Sequence, residues 1–329
     1  MGRRIRIKWQ QKAATENRNI KRQQKAATEN RNIKRQQKAA TENRNIERET
    51  KGNEIGMKRE TEYENRQRLL GCKLFLLDMD GTLYLGDEVF PGAIELIHTL
   101  EKTGRHYIYL TNNSSRAGSD YIVRLKRLGF PCEEENVFTA GMATGLYLQQ
   151  QHPGEKVCVV GTKAFRKELE SYGVQIAESE APVVCVGFDT ELVYRELECA
   201  VDCLRNGASF IAANPDWVCP MPAGKVLPDC GSICALLTAA TGKKPMYIGK
   251  PNRSMVDLLA EQRGLRNEQI CCVGDRLYTD IAVAQNAGAV SVCVLSGETT
   301  REMVDAQERT PDYVLPSVRE LEEWIRDMG

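Results

Sequence analysis

The stretch "LFLLDMDGTLYLG", Leu74 to Gly86, runs from an apolar segment straight into Asp78 and Asp80. A short, unbroken apolar run that ends on a turn signal reads as a strand. The i, i+2 spacing of the aspartates sends both carboxylates to one side while the backbone stays extended. Two carboxylates so placed repel, unless a cation joins them or one keeps a proton. Gly81 then permits a tight turn that brings backbone close to a ligand. An ordinary Asp/Gly turn has the same local sequence, so the surrounding chain must decide.

Outward from this stretch, β-rich runs alternate with amphipathic ones. The strands read "KLFLLD", "HYIYLTN", "KVCVVG", "PVVCVGF", "SFIAAN", "PMYIGK", "QICCVGD", "VSVCVL" and "DYVL", with helical patterns such as "GAIELIHTLEKTG" and "GSDYIVRLKRLG" between them. This order predicts an α/β fold with a mostly parallel sheet, whose ligands bind beyond the C-terminal strand ends. Asp78, Thr111, Lys250 and Asp275 each stand at such an end.

Three further motifs sit at these ends. "TNNSS", 111–115, offers a hydroxyl and successive backbone N–H groups suited to phosphate oxygens, although a capping loop has the same composition. Lys250 lies between Gly249 and Pro251, and the proline can open the following helix at "NRSMVDLLA", which holds the lysine as a point charge for phosphate. "GDRLYTD" carries Asp275 and Asp280 across a loop into a helix, where one carboxylate suits a hard cation and the other a coordinated water; helix capping is the plainer reading. Each motif alone is weak. Together they supply nucleophile, oxygen clamp, charge neutraliser and metal site, the parts that phosphoryl transfer needs.

Here the sequence resembles the haloacid dehalogenase superfamily, through "DMDGT", "TNN", the lysine of "GKPN" and "GDRLYTD" in the family's order over residues 73–329. The resemblance implies a Rossmann-like core and a phosphatase with Mg2+ as cofactor. It makes Asp78 the nucleophile that forms an aspartyl phosphate, and Asp80 the acid and base. It also implies Mg2+ ligation by Asp78, the Asp80 main-chain carbonyl and Asp275, with Asp280 behind them. Thr111 and the Asn112 amide would hold phosphate oxygens, and Lys250 would offset charge.

Thirty-three positions separate Asp78 from Thr111, enough for one crossover, whereas 139 separate Thr111 from Lys250. An insertion therefore belongs in the second interval. The expected layout is a discontinuous core of 71–155 and 244–329 with an α/β cap over 156–243. Together with "YLGDEVFPGA", "FIAANPD" and "YIGKPN", this layout is similar to the class IIA group, the NagD and 4-nitrophenylphosphatase-like proteins with a C2-type cap. That group implies small phosphomonoester substrates, such as nucleotides, sugar phosphates or phosphoglycolate, and leaves room for a homo-oligomer through the cap. Asn214 and Asp216 of "ANPDW" read equally well as groups facing substrate or as a proline turn satisfying its own backbone. Trp217 reads as a ring-stacking group or a core residue.

The alternatives are a phospho-accepting signalling or binding module, which has no need of "DMDGT" or a cap, and a catalytically weak member of the same superfamily. A phosphomutase usually places its cap between the first two motifs, where 33 residues leave no room.

Composition sets further bounds. With 329 residues and 42% hydrophobic content the chain can bury a sizeable core. No apolar run reaches membrane-spanning length and no secretory h-region opens the sequence, so the expectation is a cytoplasmic protein without membrane partners. The zero net charge is uneven: residues 1–70 hold 20 basic and 9 acidic residues, leaving 25 basic and 36 acidic for the remainder. "QQKAATENRNIKR" starts at Gln10, Gln23 and Gln36, with Glu47 replacing the last copy's lysine. Each copy has too few apolar residues to offset ordering entropy and no aromatic to stack on a base. The leader 1–70 is therefore expected to be disordered, without a nucleic-acid partner, and Met57 is a candidate start. The 12 cysteines fall in apolar strand and helix patterns and read as reduced structural thiols, including Cys199 with Cys203 and Cys230 with Cys234 at i, i+4 spacing. His98, His106 and His152 stand at no catalytic strand end.

Overall fold

The computed structural model describes residues 67–221 and 225–328. The expectations about the leader, its disorder and Met57 fall outside these residues. Along the chain the strands are β1 (Leu74–Leu77), β2 (Tyr84–Leu85), β3 (Glu88–Val89), β4 (His106–Thr111), β5 (Val137–Thr139), β6 (Lys156–Val160), β7 (Gln175–Ala177) and β8 (Val183–Val186). They continue as β9 (Ser209–Ala212), β10 (Val218–Pro220), β11 (Val226–Pro228), β12 (Met246–Tyr247), β13 (Ile270–Gly274), β14 (Val290–Val294) and β15 (Tyr313–Leu315).

Two parallel sheets carry the fold. The core sheet has the order β15-β14-β13-β1-β4-β5, and the cap sheet the order β12-β9-β8-β6-β7. In the core sheet the chain leaves β1 toward β4 and β5, and later returns on the other side through β13 and β14. The crevice between β1 and β13 is thus a topological switch point, where ligands of such sheets bind.

The apolar runs follow from burial on both faces. Leu74 and Leu76 of β1 face one cluster while Phe75 and Leu77 face another. In the cap, Val157 and Val159 of β6 and Val183 and Cys185 of β8 join the same cluster as Leu74 and Leu76, so the two sheets share one core. Cys158, Val160, Val184 and Val186 point to the cap's other layer. Phe165, fully buried on the helix Lys163–Ser171, lies in the shared cluster. A Cβ on Gly187 would meet its ring at 2.8 Å, so that glycine leaves the room the ring fills. Deleting such a ring typically costs about 3–5 kcal/mol. Glu168 of the same helix is buried and reaches across, accepting from Gly118 N at 2.9 Å and Thr139 Oγ1 at 3.1 Å. Burial pushes its carboxyl up.

All nine strands read from sequence form, together with helices at Ala93–Lys102 and Gly118–Arg127 where periodicity predicts them. Four short pieces carried no readable signal: β5, β7, the antiparallel hairpin β10–β11 and the small ribbon β2–β3. Pieces of two or three residues are too short to display a period. The cap sheet also reaches beyond the expected boundary at 243, because β12 pairs with β9 at Met246↔Ile211 and Tyr247↔Ala212. Among the described residues no helix is long and apolar enough to cross a membrane.

Candidate active site

Asp78 follows β1 directly, its N–H donating to Val273 O of β13 at 2.9 Å, which places it over the switch point. Asp275 follows β13 and is almost wholly buried, its Oδ2 accepting from Glu298 N at 2.8 Å. Asp280, at the end of the same loop, accepts from Arg276 N at 3.1 Å. Carboxylate oxygens of Asp78, Asp275 and Asp280 all lie within 4.8 Å of one another. Thr82 bridges two of them, its hydroxyl 3.4 Å from Asp78 Oδ2 and 3.3 Å from Asp275 Oδ1. Gly81 has φ +91°, and a Cβ there would stand 2.5 Å from Asp275 Oδ2. Here glycine serves both a left-handed turn and a close approach.

Lys250 reaches this cluster from the other sheet. Ile248 N and Gly249 N continue the β12 pairing onto Ala212 O and Ala213 O at 2.9 and 2.7 Å, which delivers the next residue into the core crevice. The buried Nζ then donates to Asp78 Oδ1 and Asp280 Oδ1, both at 2.6 Å. The lysine does stand at a strand end, but the strand belongs to the cap sheet.

Three ionised carboxylates and one ammonium leave a charge of −2, which one divalent cation cancels. Without a cation the proton supplies relief: burial, with Asp280 and Asp275 adding to it and Lys250 opposing, pushes the Asp78 carboxyl up to about 8. Burial also raises Asp275. The two carboxylates hold Lys250 firmly in its charged form against its own desolvation. An all-oxygen donor set of this charge fits a hard cation.

Asp80 stands apart from that carboxylate group. Its side chain is 54% exposed, with Arg124 at 3.7 Å from Oδ1. Desolvation raises its carboxyl, while Arg124, Arg276 and Arg116 pull it down. Arg124 is itself held over the Tyr84 ring, 4.9 Å from its centroid, and donates to Gly86 O at 2.8 Å. Arg276 pairs with Glu298 at 3.1 Å. Arg276 lies inside "GDRLYTD", where the aspartates carry the signal, whereas Arg124 sits mid-helix in "GSDYIVRLKRLG" and has no sequence signal.

The remaining sequence candidates link core to cap. Thr111 ends β4, and its Oγ1 accepts from Asn113 N at 3.2 Å. Asn112 Nδ2 donates to Lys250 O at 2.9 Å and Asp216 Oδ2 at 3.0 Å, so its carboxamide nitrogen is already committed. Its Oδ1 is buried without a partner. Asn214 is fully buried; it donates to Asp216 Oδ2 and Asp229 Oδ1 at 2.9 and 3.0 Å and accepts from Ser114 Oγ at 3.0 Å. It therefore fastens the "TNNSS" loop to the cap, with only Asp216 partly open to solvent. Trp217 is 65% exposed and no core residue. His98 and His152 pair with Glu101 and Glu155 away from the crevice.

Comparison with known proteins agrees with this geometry. A haloacid dehalogenase-like hydrolase family model matches residues 75–175, and a HAD-hydrolase-like model matches 247–321. The chain is 36% identical over 255 residues to the 5'-nucleotidase YutF of Bacillus subtilis, covering 77% of this chain and 97% of that protein. The crystal structure of a 4-nitrophenylphosphatase from Thermotoga maritima superposes with a TM-score of 0.75 at 40% identity, covering 78% of this chain and 98% of that one. NagD from E. coli K-12 superposes with a TM-score of 0.71 at 32% identity, over 76% and 98% of the two chains. With two sheets in this arrangement, the acidic crevice at their junction and these matches, the chain belongs to the haloacid dehalogenase-like hydrolases, in the NagD and 4-nitrophenylphosphatase group.

Proposed function

We propose that this chain is a Mg2+-dependent phosphatase that hydrolyses small phosphomonoesters through an aspartyl phosphate on Asp78. The observation that carries the reading is the convergence of Asp78, Asp275 and Asp280, with Lys250 at 2.6 Å from two of them. The similarity to a 5'-nucleotidase and to a 4-nitrophenylphosphatase supports the substrate class.

The carboxylates of Asp78 and Asp275 and the main-chain carbonyl of Asp80 are the proposed Mg2+ ligands, with Asp280 steadying Lys250 behind them. When bound, the cation supplies positive charge that keeps Asp78 ionised and offsets charge on the phosphoryl oxygens. An Asp78 oxygen attacks phosphorus, the phosphorus–ester oxygen bond breaks, and Asp80 gives its proton to the leaving alcohol. Asp80, now ionised, takes a proton from water, whose oxygen attacks phosphorus and releases Asp78 and inorganic phosphate. Half-exposed beside Arg124, Asp80 has the solvent access and the balanced environment that both proton transfers need. Lys250 stays charged throughout and lowers the energy of the dianionic phosphoryl group.

Asn112 and Asn214 act by position in this reading, holding the phosphate loop against the cap through Asp216. The hairpin β10–β11, which begins two residues after Asp216, carries exposed Val218, Val226 and Leu227. In this reading the part of the substrate beyond phosphate meets the hairpin, which makes it the source of specificity. The test is phosphate release from a panel of nucleoside monophosphates, sugar phosphates and 4-nitrophenyl phosphate, with Mg2+ or chelator. Rapid-quench mass spectrometry should find a phosphoryl group on Asp78, and Asp78→Asn should lower turnover by at least ~10³. Full turnover in that variant, or in chelator, overturns the proposal.

A further inference from the structure

Spacing alone left Cys199 and Cys203 as a structural pair on the helix Tyr194–Arg205, and the fold adds a third sulfur to them. Cys158 of β6 brings its Sγ to 2.9 Å from Cys199 Sγ, and all three sulfurs lie within 4.8 Å of one another. Cys158 and Cys203 are buried, while Cys199 is partly open. Cys230 and Cys234 differ: both are buried, and among the described residues no third metal-ligating side chain gathers with them. Nor is the trio sealed off. Cys158 and Cys199 line a cavity of about 670 Å³ in which Lys163, Arg166 and Arg195 balance the acidic side chains, and Cys199 and Cys203 line a second of about 830 Å³ in which Glu178, Glu180, Glu198 and Asp202 outweigh Arg195. The acidic excess of the second cavity favours cations beside Cys199 and Cys203.

We propose that Cys158, Cys199 and Cys203 form a binding site for a thiophilic d10 cation of the zinc, cadmium or copper(I) class, its fourth position open to the cavity. Metal–thiolate bonds of about 2.3 Å set sulfurs about 3.8 Å apart around a tetrahedral ion, so Cys158 and Cys199 part by roughly 1 Å on binding. Each thiol gives up its proton as its sulfur–metal bond forms, and no electrons change hands. Soft sulfur selects a different ion from the oxygen cluster at Asp78, so the two sites do not compete. Bound metal ties β6 to the helix that covers it. The site is independent of the phosphatase reading.

The probe is Cd2+ alone, added to the reduced, metal-stripped full-length chain with Mg2+ in excess to occupy carboxylates. One equivalent should bind with a thiolate-to-cadmium charge-transfer absorption and proton release, and should slow alkylation of Cys199 in the wild-type protein. Cys199→Ser should lose the absorption, and Cys219→Ser, at the other partly exposed cysteine, should keep it. Equal absorption in Cys199→Ser, or unchanged alkylation of Cys199 in the wild type, overturns the site. So does a reduced protein that takes up no Cd2+ but forms a Cys158–Cys199 disulfide in air.

Discussion

Replacing Lys250 by Met removes the one buried ammonium from among three carboxylates while nearly preserving side-chain volume. Lys250 is 3% exposed and donates at 2.6 Å to both Asp78 and Asp280, so its loss leaves two largely buried carboxyls without their cationic partner. Removing one partner of a buried ion pair costs about 3–5 kcal/mol. For a domain of about 250 residues that lowers the melting temperature by about 10 °C. The loss depends on pH in a definite sense. Asp78 already titrates well above its unfolded value, and without Lys250 it rises further. A carboxyl with a raised folded pKa loses stability as pH climbs from the unfolded value toward the folded one. Both proteins lose stability at the same rate up to about pH 7, where Asp78 is protonated in each, so the gap between them should widen only from pH 7 to pH 9, where wild-type Asp78 ionises beside Lys250 and the variant's does not. Thermal melts in chelator at those two pH values measure it. Adding Mg2+ should restore more of the melting temperature in Lys250→Met than in wild type, because the cation takes over part of the missing charge. A variant melting within about 2 °C of wild type in chelator at pH 9 would refute the argument.

Gly81→Ala forces a left-handed residue against Asp275 Oδ2, so it should cost about 1–3 kcal/mol and weaken Mg2+ binding, read by chelator melts and by Mg2+ titration of turnover. Asp229 caps the helix Cys230–Thr241 and is pushed up to about 6, chiefly by burial, with its acceptor bonds to Asn214 and Cys230 N pulling the other way. Stability linked to it falls as pH rises from about 4 to about 6, by about 3 kcal/mol, and stays level above. In Asp229→Asn that dependence should vanish, and a melting-temperature difference from wild type that does not change with pH contradicts it. Deleting residues 1–56 should leave melting and turnover unchanged, since YutF aligns over 97% of its own length to 77% of this chain; a truncated protein that fails to fold or turn over counts against this.

Much of the architecture was legible in the primary structure. Strands buried on two faces spell continuous apolar runs, and a parallel sheet places ligand groups after such runs, so Asp78, Thr111 and Asp275 could be located from nearest neighbours alone. The 139-residue interval likewise announced an insertion, because chain length is conserved whatever the packing. What neighbours cannot encode is which distant groups meet. That Lys250 arrives from the cap sheet, that Asp280 closes on Asp78, that Arg124 leans toward Asp80, and that Asn214 is sealed between loop and cap are all consequences of two sheets sharing one core. The same packing sets Cys158 beside Cys199 across 41 residues, a contact to which i, i+4 spacing is blind. Local steric preference and periodicity act over a few residues and are written in order along the chain. The site is made by side chains whose distances are settled only when both apolar faces have been buried.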